Sequence, residues 1–219
     1  MRKKGESRVI GKKAKATEER IIQAAMCIFS RYPVNIATLR MIAEEAEMPH
    51  SLVTYYFKDK GNLYRIALDR VMTIHKESHE PFFPLLDEQA ELTEKEAKKT
   101  IVKVIHGMVD RMYDPNFEAY QRILHFEMAY PSRYYEYMYE KHIKKCFELA
   151  VYLFGRATGI EDKRKLYFYA VTSLGEIASF MQERELLKRS LGLTDFTAED
   201  AATIKEHVTR NILATLGLR

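Results

Sequence analysis

Cysteine is scarce in these 219 residues: Cys27 and Cys146 stand far apart, with no CxxC spacing. That excludes a disulfide framework and a structural zinc site, and points to a reducing compartment. Glycine and proline are also few, 9 and 6 residues, which with 47% hydrophobic and 30% charged residues rules out collagen-like and disordered chains. No run of about 18 apolar residues occurs, and the basic N-terminus lacks the apolar stretch of a signal peptide. The chain is therefore expected in the cytoplasm, with no membrane partner. Also missing are HExxH, a glycine-rich phosphate loop, GxSxG and any Cys/His pair with a positioning group. No catalytic residue, cofactor or metal is expected, and the chain is not read as an enzyme. His75 and His79 have the i, i+4 spacing of a metal pair, and His106 or His125 can approach from another helix, but no further ligand pattern supports them.

The formal net charge of +4 is concentrated at one end. Residues 1–15 carry seven Lys/Arg against Glu6, net +6, while residues 16–68 are neutral and residues 69–219 have a net charge of −2. A basic leader attracts a polyanion by counterion release, but it also serves plain solubility and carries no sequence information. Residues 1–15 are expected to form a flexible basic arm whose role depends on the folded segment it precedes.

From Thr17 the apolar spacing is helical. Ile21, Ile22, Ala24, Ala25, Cys27, Ile28 and Phe29 form one face, Thr17 looks like a cap, and Tyr32-Pro33 ends the helix. Thr38 can cap a second, short helix that buries Leu39, Ile42, Ala43 and Ala46, and Pro49 opens a third to about Tyr56. Lys60 to His79 makes a longer fourth helix, stopped by Pro81 and Pro84, and a polar linker leads to Thr93. Helices are expected over 93–113, 117–130, 133–158, 161–191 and 197–216, punctuated by Pro115, Pro131, Gly159 and Gly192. No segment alternates as a strand does, and no internal repeat is found. The class is all-α, with about nine helices.

Two short helices joined by a tight turn and packed on a longer one describe a helix-turn-helix, whose second short helix enters the DNA major groove. The stretch Thr17 to Leu68 resembles the N-terminal DNA-binding domain of the TetR family of repressors, through TEERIIQAA from Thr17, FSR from Phe29, TLRMIAEEA from Thr38 and SLVTYYFKDKGNLY from Ser51. The resemblance implies a helix-turn-helix domain over 16–62 and a helical effector-binding and dimerisation domain over 63–219. It further implies a double-stranded DNA operator of pseudo-palindromic form, a small-molecule effector that releases it, and a homodimer.

Thr38, at a helix N-terminus, can pair with a phosphate through its hydroxyl and backbone N–H, or act as a plain cap. Arg40 can make a bidentate contact to guanine or a salt bridge to Glu44. The resemblance places His50 and Ser51, at the start of the third helix, on base edges, and Lys60 on a phosphate. Thr54, Tyr55 and Tyr56 suit phosphate oxygens, although one tyrosine must turn back onto Phe57. The family pattern favours Thr54 and Tyr56 as backbone contacts and leaves Tyr55 open to packing instead. Two departures stand out. Glu47 occupies a turn position where the family usually has Gly in a left-handed conformation, a difference of roughly 1 kcal/mol. Pro49 replaces the usual Ser or Thr cap and His50 a more common Lys or Gln, so operator preference does not carry over from relatives.

From about Phe126 to Leu216 the chain is similar to the CecR-like branch, through EMAYPS at Glu127, LGE at Leu174, FTAED at Phe196 and HVTRNIL at His207. Small residues beside larger apolar ones on the last two helices would let two subunits approach closely. Leu174, Gly175, Ile177, Ala178, Ile204, Val208 and Ile212 are candidates for that interface, with an intrachain core as the competing use. Aromatic and polar residues mix on the middle helices. His106, Tyr113, Phe117, Tyr120, His125, Tyr137, Tyr167 and Phe180 are candidates to line a pocket for an aromatic or lipophilic effector, although most residues of this kind fill cores. The competing function is a helical adaptor that retains a degenerate helix-turn-helix, motivated by Glu47, Pro49 and the neutral charge of residues 16–68.

Overall fold

Apolar residues recur at three and four positions along nearly the whole chain, and among the described residues every regular element is helical. The computed structural model describes residues 3–88, 91–111 and 117–218. In order, the helices are α1 (Lys3–Arg31), α2 (Leu39–Glu45), α3 (His50–Phe57), α4 (Lys60–His79), α5 (Phe83–Asp87) and α6 (Glu94–Arg111). They continue as α7 (Phe117–Ala129), α8 (Tyr135–Met138), α9 (Lys144–Thr158), α10 (Lys163–Gln182), α11 (Arg184–Leu191) and α12 (Ala198–Thr215). A 3₁₀ turn, Glu80–Phe82, joins α4 to α5, and a π-helical turn, Tyr139–Ile143, joins α8 to α9.

The all-α class holds, with differences in how the helices are divided. A short α5 lies inside the expected polar linker. The helix expected over 161–191 is broken at Glu183, whose ψ of 17° leaves helical geometry and ends α10. At the N-terminus the difference is larger: α1 starts at Lys3, where a flexible arm was expected. Lys, Arg, Glu and Ala dominate that stretch and favour helix, which carries the backbone through Gly5 and Gly11. Thr17 is accordingly no cap; its hydroxyl donates back to the Lys13 carbonyl at 3.0 Å.

The chain divides into two units, Met1–Thr73 with Ala119–Glu136, and Ile74–Glu118 with Tyr137–Arg219. The expected boundary after residue 62 is displaced because α4 supplies the first unit's core: Leu63, Tyr64, Ala67, Leu68 and Val71 are all buried. Tyr64 meets Phe29 edge-on at 4.7 Å. Its hydroxyl donates to Glu127 Oε1 at 2.7 Å, which ties the 119–136 segment to the same core. Gly61 permits this approach, since a Cβ there would lie 2.0 Å from the Tyr134 hydroxyl. Arg70 adds a two-pronged ion pair from α4 to Glu19 on α1, at 2.6 and 2.5 Å, and thereby holds the Glu19 carboxyl below its usual range.

In the second unit α6, α9, α10 and α12 pack around one core. Ile101, Ile105 and Val109 of α6 meet Leu149, Leu153 and Phe154 of α9, Ala170 and Ile177 of α10, and Ile204, Val208 and Ile212 of α12. These spacings of three and four give each helix one buried stripe. The starts expected at Thr93 and Thr197 are reciprocal capping boxes: Thr93 N–H donates to Glu96 at 2.9 Å, and Thr197 N–H to Asp200 at 2.7 Å. Gly159, with φ of 71°, ends α9 in the left-handed conformation that glycine adopts without strain.

Candidate DNA interface and buried cavity

In the first unit α2 buries Ile42 and Ala43, and α3 buries Val53 and Phe57, so their opposite faces point outward. Thr38 caps α2, its hydroxyl oxygen accepting from Met41 N–H at 3.2 Å. The α2–α3 turn closes with Met48 N–H on Ala43 O at 2.9 Å and Glu47 N–H on Glu44 O at 3.0 Å. That pair of bonds is a Schellman ending, and Glu47 fills its left-handed position with φ of 51°. The turn expected of a glycine is thus made by a glutamate, whose carboxylate is met by Arg20 at 2.8 Å.

His50 and Ser51 are exposed at the start of α3. Arg40 is also exposed and paired to Glu44 at 3.0 Å, so the salt bridge is present in the free protein. Both side chains are largely in solvent, and such a pair is cheap to exchange for another anion. Thr54 is half-buried and donates to the His50 carbonyl at 3.0 Å. The tyrosine pair resolves in the opposite sense to the expectation. Tyr55 is 79% exposed, whereas Tyr56 is half-buried and tilted against Phe57 with ring centroids 6.3 Å apart. On a helix, position 56 lies three residues after buried Val53 and shares its side, while position 55 faces away.

Lys60 is drawn inward: its ammonium donates to the Ala37 carbonyl at 2.7 Å, next to Thr38. The first residue of α4 and the cap of α2 are therefore brought together at the positive end of α2. Sequence reasoning missed one cation. Lys58, exposed between α3 and α4, has φ of 62° and ψ of −58°, and Asp59 N–H reaches back to Phe57 O at 2.7 Å. This is a γ-turn of the strained hand. Its signal was available as a second lysine two positions before Lys60.

Behind this face, Glu127 is 1% exposed and accepts from the Tyr64 hydroxyl and, at 3.3 Å, from Ser132 N–H. Burial, reinforced by the Glu127 carboxylate, pushes the Tyr64 hydroxyl well above its usual pKa.

The second unit contains a cavity of about 90 Å³. Its walls are Ile101, Val104, Ile105 and Met108 of α6, Cys146, Phe147, Leu149, Ala150, Leu153 and Phe154 of α9, and Ala170, Ser173, Leu174 and Ile177 of α10, with Ile212 and His79. Cys146 sits 3.6 Å from the imidazole of His142, and burial pushes its thiol up to about 12. None of the seven described residues among those expected to line a pocket is in these walls. Phe117 and Tyr120 are buried in core positions, His106 is half-buried, and His125 is exposed beside Phe126. Tyr137 carries Lys141 over its ring at 4.5 Å, Tyr167 stacks on Phe147 at 6.4 Å, and Phe180 meets His207 edge-on at 6.0 Å. Tyr113 lies outside the described residues. The walls combine Leu, Ile, Val, Met and Ala side chains with Phe147 and Phe154.

Residues 21–66, α1 to α4, match the family described as bacterial regulatory proteins of the tetR family. Residues 97–218, more than half the chain, match the C-terminal domain of the HTH-type transcriptional dual regulator CecR. The chain is a TetR-family regulator with a CecR-type C-terminal domain. It is 23% identical over 208 residues to the HTH-type transcriptional dual regulator CecR of Shigella flexneri, covering 91% of each chain. Among solved structures it is similar to a TetR-like transcriptional regulator from Rhodococcus sp. RHA1, with a TM-score of 0.60 at 15% identity over 90% of this chain and 96% of the other. Mycobacterium smegmatis AmtR is also similar, with a TM-score of 0.54 at 14% identity over 91% and 93%.

In this TetR-family regulator the residues expected at a dimer interface divide between inside and outside. Ile177, Ile204, Val208 and Ile212 are buried in the second unit's own core. Leu174 and Ala178 are half-buried and Gly175 is exposed. The outward stripe of α10 is Phe168, Val171, Gly175 and Ser179, with Phe168 60% and Val171 55% exposed. Among the described residues no three His, Cys, Asp or Glu side chains converge as metal ligands, and no helix is long and apolar enough to cross a membrane. The side chain of His75 lies outside the described residues.

Proposed function

We propose that this TetR-family regulator binds a pseudo-palindromic operator as a homodimer and represses until a small lipophilic effector enters the cavity of the second unit. The observation that carries the reading is the meeting of Lys60 with the Thr38 end of α2, beside an α3 whose His50, Ser51 and Tyr55 face outward. A phosphate at that point gains the helix N-terminus, the Thr38 hydroxyl and the remaining Lys60 N–H donors. Arg40, His50 and Ser51 then face base edges, and Thr54, Tyr55 and Tyr56 the backbone, with Tyr55 better placed than Tyr56. The intact Schellman turn around Glu47 supports a working helix-turn-helix over a degenerate one.

The exposed stripe Phe168, Val171, Gly175 and Ser179 supplies an apolar, close-approach face for a second copy, with Leu174 and Ala178 at its edge. α4 begins at Lys60 and ends at His79, a wall of the cavity. An effector that displaces His79 moves the helix that carries Lys60, and dimeric readers lose an operator when half-site spacing changes. The seven basic residues of positions 1–15 add affinity independent of sequence.

The test is operator affinity of variants over a range of salt. Arg40→Ala and His50→Ala are expected to lose about 1–3 kcal/mol of discrimination, and Lys60→Ala to weaken all sequences alike with a salt slope shallower by about 1. Unchanged binding in all three variants overturns the docking.

A further inference from the structure

The turn between α3 and α4 has a cationic neighbour from far along the chain. Arg133 lies in the connection between α7 and α8, within the segment 119–136 that folds as part of the first unit. Its Nη2 comes within 3.0 Å of the position a Cβ would take on Gly61, the residue that follows Lys60 in α4. The guanidinium nitrogen is therefore within about 4.5 Å of the Gly61 Cα, one residue from the lysine that meets the Thr38 end of α2. Lys58, Lys60 and Arg133 put three cations at one corner, against the carboxylate of Asp59, whose Oδ1 accepts from Asn62 N–H at 2.8 Å.

Arg133 is positioned by the core yet left without an anion. Arg20, Arg31, Arg40 and Arg70 of the same unit each pair with a glutamate. Arg133 is exposed, and among the described residues no carboxylate lies within ion-pair distance of it. Its Nη2 donates instead to the Tyr134 hydroxyl at 2.6 Å, and the guanidinium lies over the Tyr134 ring, 4.9 Å from the centroid. Tyr134 in turn meets buried Tyr64 edge-on at 5.3 Å, so the cation is seated on the unit's core. One of its five N–H donors is committed in this way, and the remaining planar fork matches two oxygens of a phosphate. We propose that Arg133 is a second backbone contact of each reading head, holding an operator phosphate beyond the one met by Lys60 and Thr38. This rests on the operator reading above and extends the DNA surface past the helix-turn-helix, into the part of the chain that matches the CecR C-terminal domain. Such a contact adds affinity for every sequence and discriminates among none.

The test titrates the full chain, over a range of salt, against a fragment selected from the source genome and a random-sequence duplex of the same length. Arg133→Ala is expected to weaken both alike, by about tenfold, and to make the salt dependence shallower by about 1 for each subunit bound. Arg133→Lys, which keeps the charge, should keep the slope. Arg189→Ala, which removes a similarly exposed arginine of α11, should change neither affinity nor slope. Ethylation interference should reveal one phosphate in each half-site that matters to the parent protein and not to Arg133→Ala. Thermal melting separates contact from packing: weaker binding that accompanies a lowered melting temperature and leaves the interference pattern intact assigns Arg133 to the support of Tyr134 and overturns the proposal. A slope that Lys60→Ala makes shallower and Arg133→Ala leaves unchanged overturns the Arg133 contact while the operator reading stands. DNA binding by the parent protein that responds to neither salt nor sequence overturns both.

Discussion

At Glu47 the chain adopts a left-handed backbone with a residue that has no intrinsic preference for it. Replacing it by glycine removes about 1 kcal/mol of strain, while glycine's greater freedom in the unfolded chain and the loss of the exposed Arg20 pair act against the gain. Glu47→Gly is expected to stabilise the protein by about 0.5 kcal/mol and Glu47→Val to destabilise it, as read from urea unfolding; a loss of stability in the glycine variant would remove the strain argument. Tyr64 lies at the opposite extreme of burial. Tyr64→Phe leaves Glu127 buried and short of a donor, a cost of about 1–3 kcal/mol that Glu127→Gln should reduce in the double variant. Some of this detail was readable in advance. The glycine-like turn at Glu47 was implied by the family resemblance, and helical periodicity alone would have turned Tyr56 inward and Tyr55 outward had it been given more weight than the family pattern. The Lys60–Ala37 bond was not readable, because it joins positions 23 residues apart through a side chain that sequence places in solvent.

Whole elements were legible where their ends are written locally. Thr38, Thr93 and Thr197 open α2, α6 and α12 through side chains within three residues, and Gly159 closes α9. The break at Glu183 and the π-helical turn before α9 carry no Gly or Pro, and their positions depend on packing from distant elements. That π-helical turn holds His142, which is 3% exposed. Burial, with the neighbouring His79 and Lys76, draws its pKa down to about 4. A histidine depressed on folding stays neutral while the unfolded chain takes up a proton. Its contribution is therefore complete above the unfolded value near 6.5 and is lost as pH falls toward 4, by at most about 1.4 kcal/mol per pH unit. Unfolding free energies at pH 7.5, 6 and 5 should show this decline, and His142→Gln should flatten it; an unchanged slope in the variant assigns the decline to other groups.

At the level of the whole molecule, sequence led to the expectation of a subunit interface on the last long helices, but could not show which side of α10 is outward. Ile177, Ile204, Val208 and Ile212 have the composition of an interface and the position of a core, because packing within the chain claims them first. The walls of the cavity were not singled out for a similar reason, since Leu, Ile, Val and Phe positions look like core until the helices are placed. Val171→Glu introduces a charge on the outward stripe and should yield folded monomers with greatly reduced operator affinity, measured by sedimentation and titration; a dimer that survives it places the interface elsewhere. The account rests most directly on paired reading heads that discriminate sequence. Selecting fragments of the source genome with the purified protein at near-physiological salt, then footprinting the winners, tests that claim. The account predicts a pseudo-palindromic site protected on two half-sites about one helical turn of DNA, or a multiple of it, apart. Recovery of unselective fragments that salt alone removes would contradict it.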